Sequence, residues 1–91
     1  MTQFNVIREV EVLNQKATSA ADLYITSEKG IVKSFNDKDE ARAYLSKLYK
    51  RAFQNKCFEE VKRVGKDRIN CHRADDKCFI FVIRSSKKSN R

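Results

Sequence analysis

One histidine and three cysteines are the residues of this 91-residue chain with the greatest intrinsic reactivity. His72 adjoins Cys71, and Cys57 and Cys78 flank the pair in sequence. A thiol beside an imidazole can be an activated nucleophile, and four such groups can hold zinc. The spacing suits neither chemistry. Neighbours on a strand point to opposite faces, so Cys71 is badly placed to use His72 as its base. Structural zinc sites use short paired spacings such as C-x2-C, whereas the cysteines here are separated by thirteen and six residues. Asp75-Asp76 falls in an expected turn rather than a metal-binding cluster. The chain has no Gly-rich phosphate loop, no G-x-S-x-G and no H-E-x-x-H. The expectation is a protein without enzyme activity, catalytic residue, metal or cofactor, whose thiols behave as small hydrophobes. A thiol or metal enzyme using Cys71, His72 and Cys78 is the minor alternative.

A second candidate lies at Lys77-Cys78-Phe79-Ile80-Phe81-Val82-Ile83-Arg84. It resembles the RNP1 pattern of RNA-recognition motifs at Lys77, Phe79, Phe81 and Val82. In that family the paired aromatics stack on bases, which makes Phe79 and Phe81 secondary candidates for nucleic-acid contact. Cys78 and Ile80 stand where the pattern wants small residues, and Arg84 replaces its last aromatic. The plainer reading is a core strand apolar on both faces, with Cys78, Ile80 and Val82 inward.

Charge is the strongest signal. Twenty Lys and Arg against twelve Asp and Glu give a net +8. Residues 1–45 hold six basic and seven acidic side chains, net −1; residues 46–91 hold fourteen and five, net +9. That asymmetry points to a polyanionic partner. Lys47, Lys50 and Arg51, then Lys62, Arg63, Lys66, Arg68 and Arg73, are the candidate contacts. They suit phosphate, so any nucleic-acid contact should be backbone-directed. The bland alternative is a solvated basic surface.

The elements that must position these groups follow from periodicity. Phe4–Leu13 alternates, with Phe4, Val6, Val10 and Val12 on one face, and reads as a strand that Arg8 interrupts. Leu23–Thr26 and Ile31–Phe35 read as two short strands joined by a hairpin turn, Ser27-Glu28-Lys29-Gly30. Asn36 or Asp37 can cap a helix ending near Gln54-Asn55. Ala41, Tyr44, Leu45, Leu48, Tyr49 and Ala52 form its apolar stripe, with Lys47, Lys50 and Arg51 opposite. Cys57–Val64 is ambiguous and reads weakly as a strand. Ile69–His72 and Cys78–Ile83 are strands. The expected order is β-β-β-α-β-β-β, an α+β domain with five or six antiparallel strands on one helix. It spans residues 1–84, with 85–91 as a basic flexible tail. No apolar run approaches the ~20 residues of a membrane helix, and the N-terminus does not read as a signal peptide.

FNVIREVEVLN, AADLYITSEKGIVKSF and DKDEARAYLSKLYK, in that order, resemble phage-encoded anti-CRISPR proteins that act on the type I-F surveillance complex. The resemblance runs over the whole chain and assigns no functional residue. It implies a stoichiometric inhibitor working in the cytoplasm of a bacterial host cell. Such an inhibitor docks on the Cas protein–crRNA complex and blocks target DNA binding or hybridisation. Neither a membrane nor a small-molecule substrate is implied. The alternative reading is a small basic regulator that contacts the backbone of free DNA or RNA.

Overall fold

The computed structural model describes residues 2–20 and 23–87. The elements are β1 (Thr2–Leu13), β2 (Tyr24–Phe35), α1 (Lys38–Gln54), β3 (Phe58–Val64), β4 (Arg68–Arg73) and β5 (Lys77–Lys87). The strands form one antiparallel sheet in the order β2-β1-β5-β4-β3. The α+β class expected from the sequence is therefore the class found. The element order is β-β-α-β-β-β, with one strand fewer before the helix.

That difference lies in β2. The two short strands and the turn between them are one continuous strand, paired with β1 from Leu13↔Tyr24 to Phe4↔Phe35. Local turn chemistry at Ser27–Gly30 gives way because a twelve-residue β1 offers a paired partner to almost every backbone group. The surplus residues are absorbed as register shifts beside Val6/Ile7 and Val10/Glu11. The chain reverses earlier, in the loop where the Asn14 amide donates to the Leu23 carbonyl at 2.7 Å. Left-handed backbone occurs at Gly65 (φ 66°) and Asp76 (φ 62°), in the β3–β4 and β4–β5 turns.

The helix forms where expected. Asp37 caps it by accepting from the Asp39 amide at 3.1 Å, and Asn55 closes it by donating to the Ala52 carbonyl at 3.1 Å. Ala41, Leu45 and Ala52 are buried against Val6, Ile69, Cys71 and Ile83, with Phe79 and Phe81 half-buried at the margin. Cys57–Val64 resolves as strand β3 from Phe58. The shortest dimension of the molecule is 19 Å. That is one helix layer on one sheet layer, so among the described residues no element lies above the second sheet face.

β5 is the central strand and is apolar on both sides. Cys78, Ile80 and Val82 form a second buried cluster with Ile7 on the face away from the helix. Cross-strand neighbours on β1 and β4 shoulder them. β5 continues through Lys87, pairing Ser85 and Ser86 with Phe4 and Gln3. Residues 85–87 of the expected tail are therefore strand, and 88–91 lie outside the described residues. Among the described residues no helix is long and apolar enough to cross a membrane.

Candidate functional site

Alternation on β1 puts Arg8 on the helix-facing side, between Val6 and Val10. A guanidinium cannot enter the core, and at this point the helix layer gives way to open space. Arg8 lies across from Gly30 on β2 and Phe81 on β5. From here a cleft of about 370 Å³ runs between the sheet and the C-terminal half of α1. Leu48, Arg51, Ala52 and Asn55 form its helix wall; Phe58, Arg73, Phe79 and Phe81 form its floor and far side. A second, wider opening of about 760 Å³ shares Arg8 and Phe81 and extends over β2 from Ser27 to Val32.

Three arginines thus converge on an aromatic floor. The Phe58 and Phe79 rings meet edge-on, with centroids 5.7 Å apart, and the Arg73 guanidinium sits 5.5 Å from the Phe79 centroid. Arg8 pairs with Glu28 at 3.3 Å and Arg73 with Asp75 at 3.3 Å. Both pairs are partly exposed to solvent, so they hold the arginines weakly and can yield to another anion. The arrangement suits a ligand that offers negative charge and a flat apolar surface together.

The basic residues expected from the sequence divide into five groups. Arg51 and Arg73 line the cleft, and so do Phe79 and Phe81. Lys47 and Lys50 are exposed on the outer surface of the helix. Lys62 and Arg68 lie on the opposite sheet face, where Lys62 pairs with Glu60 at 3.0 Å and Arg68 donates to Asn70 Oδ1 at 3.0 Å. Lys66 is exposed in the β3–β4 turn. Arg63 holds β3 to the helix: it donates to Ser46 Oγ at 2.8 Å and to the Lys66 carbonyl at 3.1 Å, and lies 6.0 Å from the Tyr49 ring centroid. Arg63 is committed to packing. Phe79 and Phe81 face the helix layer rather than an open sheet surface, so the exposed stacking platform of the RNP1 pattern is absent. Phe79 is reached through the cleft, and Phe81 through the cleft and the wider opening beside it.

The cysteines do not converge. Cys71 lies on the helix side of the sheet and Cys78 on the other, while Cys57 is exposed at the mouth of the cleft. Burial pushes the Cys71 thiol up to about 11 and raises that of Cys78. Cys78 Sγ is 3.9 Å from His72 Nε2, but with a raised pKa its thiolate is scarce at neutral pH. Among the described residues no group of three or more His, Cys, Asp or Glu could hold a metal ion. At the other end of the molecule Asp67 accepts from Arg42 Nε at 2.8 Å and lies 3.8 Å from Lys38 Nζ. These cations hold its carboxyl below the usual carboxylate range, the Arg42 hydrogen bond most of all.

Arg8 and Gly30 are the site residues that sequence reasoning missed. The signal for Arg8 was present, as a charge interrupting an apolar alternation. Gly30 carried a turn signal that pointed elsewhere. The chain matches no family model, no curated protein and no solved structure.

Proposed function

We propose that this chain is a non-catalytic inhibitor that binds the type I-F Cas protein–crRNA surveillance complex stoichiometrically and blocks target DNA binding. It would act in the cytoplasm of a phage-infected bacterial cell. The observation that carries the reading is the convergence of Arg8, Arg51 and Arg73 on one open cleft in a chain of net charge +8. A ribonucleoprotein that must receive DNA presents phosphate and a basic channel together. A small cationic wedge fits the first and obstructs the second. The segment resemblance and the +9 charge of residues 46–91 support the same partner. The cleft geometry also fits the second reading, a regulator on the backbone of free DNA or RNA, because phosphate is the recognised group in both.

The test is co-elution of the purified chain with the assembled complex, followed by measurement of target DNA binding. The reading expects a stable complex, loss of target binding at stoichiometric ratio, and weaker association as salt rises. Failure to co-elute, together with tight binding to naked duplex DNA, would transfer the function to the second reading.

A further inference from the structure

Gly30 stands in the interior of a twelve-residue strand with no backbone reason to be glycine. Its φ is not in the left-handed region, which among the described glycines only Gly65 occupies. A Cβ added at Gly30 would meet nothing within 4 Å. Glycine weakens a strand interior, and it commonly marks a place where a ligand approaches the backbone closely. What the missing side chain leaves open is the space beside Arg8 and Phe81, in the 760 Å³ opening. That volume falls in the ~300–1,000 Å³ range of ligand clefts.

We propose that this opening receives one unpaired nucleotide of a single strand. The base lies against Phe81 in the gap above Gly30, and its phosphate binds Arg8. The neighbouring phosphates pass to Arg51 and Arg73 in the adjoining cleft. The proposal rests on the cleft being the docking face and names the ligand chemistry of that face. Duplex is disfavoured because its bases are already stacked and cannot turn toward Phe81. An acidic peptide would satisfy the arginines but leave the aromatic surface without a flat partner. Glu28, 3.3 Å from Arg8, is the resident competitor that an incoming phosphate displaces.

Fluorescence anisotropy on the isolated full chain tests this, using oligo(U), oligo(dT) and a duplex, each of roughly 12 nucleotides per strand. The single strands should bind at least ~10-fold tighter than the duplex. A Cβ at Gly30 meets nothing within 4 Å, so Gly30→Leu should keep the melting temperature while its side chain occupies the gap, and lose roughly 10-fold in single-strand affinity, the effect of about one lost stacking contact. Glu28→Gln should raise single-strand affinity. Tighter binding of oligo(U) than of oligo(dT) supports an RNA guide as the source; the reverse supports a DNA strand. Equal affinity for duplex, full affinity in Gly30→Leu, or equally effective competition by polyglutamate would each overturn the proposal. Failure to bind the surveillance complex would leave these results standing. Failure here with the complex still bound would remove the nucleotide pocket and not the docking.

Discussion

Strands β5 and β2 are nearly equal in length, eleven and twelve residues, and they do opposite work. β5 is central, and six of its residues, Cys78 through Ile83, are buried or half-buried. β2 is one of the two edge strands, and eleven of its twelve residues are exposed. Four large apolar side chains, Tyr24, Ile25, Ile31 and Val32, stand on it largely in water. β5 holds the helix and both apolar clusters in place. β2 contributes little to that core and instead extends the sheet beyond the helix, where it lines the wider opening beside the cleft. Its two register shifts and its lysines at 29 and 33 also disfavour pairing with another chain's edge. β5 thus carries the core and also supplies Phe79 and Phe81 to the site, whereas β2 lines the site without carrying the core, and substitutions on the two strands should differ in their effect on stability.

The sharpest separation compares Leu45, 0% exposed under the helix, with Ile31, 62% exposed on β2. Leu45→Ala should cost about 3 kcal/mol by denaturant unfolding, from lost transfer energy plus a cavity. Ile31→Ala should stay within about 0.5 kcal/mol of the native chain. Equal losses would mean that β2 belongs to the cooperative core and that the contrast is false.

A smaller effect concerns the far end of the helix. The Asp67 carboxyl is held below its unfolded pKa, so its contribution is present above about pH 4 and is lost as pH falls through the folded value. The native chain should therefore melt a few degrees above Asp67→Asn at pH 7, and the gap should close as pH falls through the folded value. The side chain is 37% exposed, which keeps the difference small. A gap between the two curves that does not shrink as pH falls below about 4 would assign the stabilisation to something other than ionised Asp67.

The sequence made some of this legible, and the reason differs by element. The CFIFVI run could only be a strand buried on both sides, and the Asp37 cap with its apolar stripe fixed the helix, because both signals are local. β2 was misread because the Ser27–Gly30 turn signal is local too, while the pairing that overrides it depends on β1. The site shows the same divide. Arg51, Arg73, Phe79 and Phe81 could each be picked out, but their convergence comes from three elements, α1, β4 and β5, meeting in the fold. Lys62, Arg68, Lys47 and Lys50 looked equivalent to them in sequence and lie elsewhere. Arg63 looked free and is tied to Ser46.

The central claim, that the cleft rather than net charge binds the partner, is tested by two charge reversals of equal size. Arg51→Glu with Arg73→Glu changes the cleft; Lys62→Glu with Arg68→Glu changes the opposite sheet face. Each lowers the charge by the same amount, so long-range attraction is matched and only location differs. Affinity for the assembled surveillance complex at fixed salt is the quantity to measure, with melting temperature as the folding control. The account predicts a loss of about 100-fold for the cleft pair, since each charge-assisted contact contributes about 1.5 kcal/mol. It predicts only a few-fold loss for the opposite-face pair, with both variants folded. Equal losses, or the larger loss on the opposite face, would contradict it.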